Sequence, residues 1–169
     1  VKGLSKRAVV FLKIGSILLL IFASAIMVAS LLNISLFFLD LKNEIPNAKI
    51  SFSADYLHNN VSLKVEIPTK NAGFLPLRLS AKSEVLFSNG SVLGTAEDTK
   101  VISPGESKTM SLTAQIEGEN FKKLAENPNE KIKTIFSFEV RTFFDLVSMS
   151  MSVPISLGSI NESTFPTGG

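Results

Sequence analysis

The chain contains no cysteine, which excludes thiol nucleophiles, thiolate metal sites, disulfides and redox motifs. A domain of about 130 residues buries enough apolar surface to manage without disulfides, so an oxidising compartment stays open to it. Histidine occurs once, at His58. A multi-histidine metal centre within one chain is therefore excluded, and a histidine-based triad has a single turn residue to build on. Acidic residues are absent before Asp40, and internal repeats and low-complexity blocks are absent throughout. No basic groove of the kind that tracks a phosphate backbone is evident, because the charges beyond Asp40 are mixed in sign along the chain. Nucleic acid is not an expected partner.

What is present is an uncharged run at 14–39, between Lys13 and Asp40. At about 1.5 Å per helical residue, about 26 residues reach about 39 Å, more than the ~30 Å hydrocarbon core of a bilayer requires. Lys2, Lys6, Arg7 and Lys13 precede it, giving a +4 arm, whereas the rest of the chain carries −2. Clustered Lys/Arg at one end of a span holds that end in the cytoplasm, so the expected topology has residues 1–13 inside and the larger domain outside the cell membrane. Ala23, Ser24 and Ala25 offer a small-x-small pattern suited to signal-peptide cleavage. Apolar sequence continues for more than a dozen residues past that point, which favours an uncleaved anchor. Ser16, Ser24, Ser30, Asn33 and Ser35 are tolerable interruptions, Asn33 lying toward the outer end. Ala25 and Ala29 have small-xxx-small spacing, although a single lipid-facing helix is the simpler expectation.

Residues 40–48 read as a polar linker in which Pro46 discourages continuation of the helix. Beyond it the hydrophobic period becomes two. Ile50, Phe52, Ala54 and Tyr56 alternate with polar residues, as do Val61, Leu63, Val65 and Ile67, with His58, Asn59 and Asn60 as the turn between them. A turn region at 68–73 precedes strand-like sequence at 77–87 and 91–96. Asn89-Gly90 between these predicts a type I′ hairpin. Met110, Leu112, Ala114 and Ile116 alternate after a turn at 103–106. Phe121, Leu124 and Ala125 mark a short helix at 119–126, closed by Asn127-Pro128. Strands at 132–143 and 147–155 follow, and the Gly/Ser/Thr-rich tail 158–169 reads as flexible. About seven short antiparallel strands with one short helix, placed at 49–157 after a single N-terminal transmembrane helix, predict an all-β fold: an immunoglobulin-like antiparallel β-sandwich.

Four stretches carry a family resemblance: VSLKVEI at 61–67 leading into NAGFLPL at 71–77, EVLFSNGSVLG at 84–94, SPGESKTM at 103–110, and IKTIFSF at 132–138 through VPIS at 153–156. In order and spacing this region, 50–157, resembles the second group of late-embryogenesis-abundant proteins, also called the water-stress and hypersensitive-response (LEA-2/WHy) domain. Where many members carry Asn-Pro-Asn after the first apolar strand, Pro68-Thr69-Lys70-Asn71 stands here. The resemblance implies a natively folded, non-enzymatic sandwich associated with desiccation or other stress and often tethered to membranes.

Residue chemistry gives little to set against that. His58 reads as a solvated turn residue. Glu97-Asp98 and Glu117 with Glu119 are candidate carboxylate pairs for Ca²⁺ or acid–base work, but neither sits in a loop supplying several converging oxygens. Ser107-Lys108 evokes a Ser-Lys dyad, yet neighbours on a strand point to opposite faces. Asn60, Asn89 and Asn161 head N-glycosylation sequons. Phe136, Phe138, Phe143 and Phe144 read as core or rim. The expectation is thus no enzyme, no catalytic, metal or cofactor-binding residues, and no cofactor. The lipid bilayer is the expected partner through the helix, with surface proteins or glycans as partners of the domain. A structural subunit of a surface filament or envelope complex is the competing expectation, the apolar helix bundling with its neighbours.

Overall fold

In the computed structural model, residues 6–55, 57–127, 131–142, 145 and 147–159 are described. The expectations for Tyr56, Pro128, Phe143, Phe144, Asn161 and the tail beyond 159 fall outside these residues. The elements are α1 (Lys6–Glu44), β1 (Lys49–Asp55), β2 (Asn60–Lys70), β3 (Leu77–Leu86), β4 (Val92–Ile102), β5 (Ser107–Glu117), α2 (Gly118–Glu126), β6 (Lys131–Thr142) and β7 (Val147–Ser159). Two antiparallel sheets, ordered β1-β2-β5 and β4-β3-β6-β7, face each other as a sandwich.

The period-two pattern builds the core directly. Val61, Leu63, Val65 and Ile67 of β2 stand opposite Ile116, Ala114, Leu112 and Met110 of β5, all buried on one face. In the second sheet, small Ala81 and Ser83 of β3 oppose large Phe138 and Phe136 of β6, so small and large side chains alternate across the pair. Phe136 and Phe138 are core residues, stacked 6.5 Å apart.

Several boundaries and one turn differ from those the sequence predicts. β2 does not stop at 67 but runs through Pro68 to Lys70. Its β1 neighbour ends its pairing at Glu66, so Pro68 lies where one side of the strand needs no ladder donor. β4 is one strand through Glu97, Asp98 and Thr99, where apolar alternation is missing. It is held as an edge by pairing with β3 and by side-chain bonds to β5. The Asn89-Gly90 turn is not type I′. Gly90 alone has positive φ, at 84°, and its N–H donates to the Phe87 carbonyl at 3.0 Å. With the register shift between Val85 and Leu86, this is a type I turn followed by a left-handed glycine. The Asn89 side chain stabilises it by accepting from the Ser91 N–H and hydroxyl.

The largest departure concerns α1. It contains no proline, and the hydroxyls of Ser16, Ser24 and Ser35 return to the carbonyls four residues back at 2.8–2.9 Å, whereas the buried Ser30 hydroxyl has no hydrogen-bond partner. This helix is long and apolar enough to cross a membrane. Its large apolar side chains from Val9 to Val28 are exposed, except for half-buried Ile26. From Ser30 onward one stripe turns inward: Ser30, Asn33, Ile34, Phe37 and Leu41 are buried at helical spacing. Ile34, Phe37 and Leu41 join the sandwich core, with α1 packing chiefly on β2 and also on β6 and β7. The expected linker at 40–48 is therefore mostly helix. Burial of Leu41 carries α1 past Asp40 to Glu44, and Pro46 fits the start of a single 3-10 turn, Ile45–Asn47, that feeds β1 directly. Likewise β7 runs to Ser159, past the expected end of the sandwich at 157.

Candidate functional site

The polar candidates are scattered, and most are engaged locally. At the end of the sandwich away from α1, the Asp55 carboxylate accepts the N–H groups of Leu57 and His58, and its other oxygen lies 2.8 Å from the His58 ring Nδ1. The hydrogen bond to the His58 ring, aided by the local N–H donors, holds the Asp55 carboxyl below its ordinary value. Both side chains are exposed, and together they form a capped turn in which Asn59 takes a φ of 50°. Glu97 and Asp98 do not act as a pair. Asp98 accepts the Ser111 N–H at 3.0 Å and lies 3.3 Å from Lys100, tying the edge of one sheet to the edge of the other. Glu117 accepts from Asn60 at 3.3 Å, while Glu119 is exposed in the first turn of α2. Lys108 reaches across the sandwich to the Val101 carbonyl at 2.6 Å, away from Ser107. Among the described residues no group of three His, Asp or Glu is placed to hold a metal. Asn89 is exposed in its turn, and the Asn60 side chain is engaged at the start of β2.

The concentrated polar structure lies elsewhere, where α1 meets the sandwich. Asn71, fully buried, is its hub. Its amide NH₂ donates to the carbonyls of Leu75 at 2.8 Å and Ile102 at 3.0 Å, and its side-chain oxygen accepts the Gly73 N–H at 3.0 Å. Its own N–H donates to the Glu106 carbonyl, and its carbonyl accepts from Gly105. One residue thus fastens the loop between β2 and β3 to the loop between β4 and β5. Asn33 extends the network into the helix. Its side-chain oxygen accepts the N–H groups of Phe74 at 2.6 Å and Leu75 at 3.0 Å, and its NH₂ donates to the Leu75 carbonyl at 3.1 Å. Gly73 is required by this approach, because a Cβ there would stand 1.9 Å from the Asn33 oxygen.

Asn33 is thus far more than a tolerated interruption of an apolar run. A buried amide costs several kcal/mol unpaired, and here every polar atom of it has a partner. The available signal was a lone amide in an apolar helix, together with a Gly-containing loop whose backbone groups lack ladder partners. Nothing in the sequence links the two.

Among the described residues, the space inside the sandwich is small. An apolar recess beside Ile45, Ile50, Val65, Phe136 and Ile155 holds about 10 Å³, room for at most one water. On the β4/β5 side the sheets touch: a Cβ on Gly94 would lie 2.7 Å from the Gln115 carbonyl oxygen. On the other side, Ile50 and Phe52 of β1 and Met149 of β7 share the faces of buried neighbours yet remain partly exposed.

No family model matches the chain, and no curated protein matches it. Among solved structures, a protein from Archaeoglobus fulgidus matches with a TM-score of 0.50 at 9% identity, over 66% of this chain and 94% of that one. A β-glucuronidase from Bacteroides uniformis matches with a TM-score of 0.44 at 13% identity, over 64% of this chain but only 13% of the enzyme. The first likeness is one of fold alone, and the second says nothing of this chain's chemistry.

Proposed function

We propose that the chain is a non-catalytic, LEA-2-like sandwich anchored by α1 in a membrane, with its domain on the extracytoplasmic face, where it binds surface partners and protects the envelope under stress. The observation that carries the reading is the divided character of α1. Its first part, through Val28, presents bare apolar side chains on all sides, and its last part is built into the sandwich core. A helix apolar all round demands a cover that the described residues do not supply, and lipid supplies it. The +4 charge before the apolar run and the acidic balance beyond it favour the cytoplasmic N-terminus. The non-catalytic part is supported by the engagement of Asp55 in a turn, of Asp98 and Lys108 in ties between the sheets, and of Glu117 with the neighbouring strand.

The test uses the full chain in membranes. It should resist alkaline carbonate extraction, and protease added from the extracytoplasmic side of intact cells or spheroplasts should digest the domain while leaving a short N-terminal fragment. Release by carbonate, or protection of the domain, would overturn the reading.

A further inference from the structure

The loop between β2 and β3 is uncharged from Asn71 to Leu77, and the Phe74 side chain at its tip is 55% exposed. Its backbone is pinned to α1, since the N–H groups of Phe74 and Leu75 both end on the Asn33 oxygen. The loop therefore sits at the level of Asn33 on the helix axis. From Lys13, the last basic residue before the apolar run, to Asn33 is about 20 residues, or about 30 Å of helix, the thickness of the hydrocarbon core. The lipid-side face of α1 remains apolar and exposed beyond that point, with Leu36 and Leu39 bare opposite the buried Ile34, Phe37 and Leu41. Covering those leucines means that the outer leaflet rises along one side of the helix past the level at which the sandwich is attached on the other. Charge begins just past the loop. Arg78, paired with Asp145 at 2.6 Å, and its cross-strand neighbour Arg141 border the same shallow recess as Leu75 and Pro76. An apolar tip followed by arginines is the order of chemistry met on passing from acyl chains to headgroups.

We infer that the Phe74–Pro76 tip is a second membrane contact, with the Phe74 ring seated in the outer leaflet beside the span and the Arg78/Arg141 row at headgroup depth. The sandwich is then held at two points with a fixed face toward the lipid. This rests on the proposed membrane anchoring. Other occupants of the Phe74 surface, a second copy or a partner protein, are separated from lipid by the experiment.

The chain has no tryptophan, so single-Trp reporters are unambiguous. Full-length Phe74→Trp, Leu20→Trp and Val92→Trp variants are reconstituted into phosphatidylcholine vesicles with and without lipid brominated high on the acyl chain. All three replaced side chains are exposed. Val92 begins β4 at the opposite end of the sandwich, roughly 30 Å of strand from the loop. The expected result is strong quenching and blue-shifted emission for Leu20→Trp, quenching several-fold above that of Val92→Trp for Phe74→Trp, and water-like emission for Val92→Trp. Quenching of Leu20→Trp without quenching of Phe74→Trp overturns the second contact and leaves the span standing. A blue shift of Phe74→Trp without quenching marks a protein-covered ring and overturns it too. If Leu20→Trp itself is unquenched, the anchoring and this inference fall together.

Discussion

At the residue scale, two asparagines and a glycine hold the helix to the sandwich. Asn33→Ala leaves the N–H groups of Phe74 and Leu75 without their partner, at about 1–3 kcal/mol for each buried group. Gly73→Ala drives a methyl into the Asn33 amide and should destabilise by about 1–3 kcal/mol. The two changes are coupled: once Asn33 is alanine the obstruction is gone, so Gly73→Ala should then cost little. Thermal unfolding of the two single variants and the double variant in detergent measures this, and simple additivity would contradict the geometry. Glu106 gives a pH-dependent prediction. Its carboxylate accepts the Ser103 N–H at 2.8 Å and lies 3.2 Å from Lys108, and these, the backbone bond first, hold its pKa below the ordinary value. A depressed folded pKa means a contribution present above the unfolded value and lost as pH falls through the folded one. Protection of the Ser103 amide, measured against its intrinsic exchange rate, should therefore hold at neutral pH and be lost only below the ordinary glutamate range, and Glu106→Gln should remove that dependence.

At the element scale, α1 belongs to two environments, and its outer third is structurally part of the sandwich. Ile34, Phe37 and Leu41 are each at most 1% exposed, and burial of such a side chain stabilises by about 1.5–3 kcal/mol. A fragment beginning at Lys49 would uncover the core they cap, together with the backbone of the 71–76 loop. A fragment from Ser30 to Ser159 should unfold at a clearly higher temperature and denaturant midpoint than one from Lys49 to Ser159. Equal midpoints would show that the helix is merely leaning on the domain. Phe37→Ala should reproduce most of the difference in the longer fragment, at about 3–5 kcal/mol.

On the scale of the whole molecule, one cooperative body should include part of the anchor. In detergent micelles the amides of residues 34–41 should exchange at the rate of the β2 and β5 core, because their opening uncovers the same apolar cluster. Faster exchange there than in the β2 core would separate helix from sandwich. Strict alternation in β2 and β5 made those strands legible from sequence, since a strand half in a core must place apolar residues at every second position. The same logic made the apolar run of α1 legible, because a long helix without charges leaves few environments open. Local patterns were less informative where a neighbour decides the outcome. The 97–100 stretch is held as a strand by β3 and β5, and the Asn89-Gly90 turn goes with a register shift in which Leu93 of β4 is the extra residue. By itself, then, the chain determined an apolar helix, seven strands and the faces they bury, since those follow from periodicity within a few residues. Only the tertiary structure decided that Asn33 meets Gly73, that Asn71 joins two loops, and that Ile34, Phe37 and Leu41 of the helix enter the core. Those contacts join residues about 30 to 40 positions apart, and a hydrogen bond between an amide and a distant backbone leaves no period along the sequence.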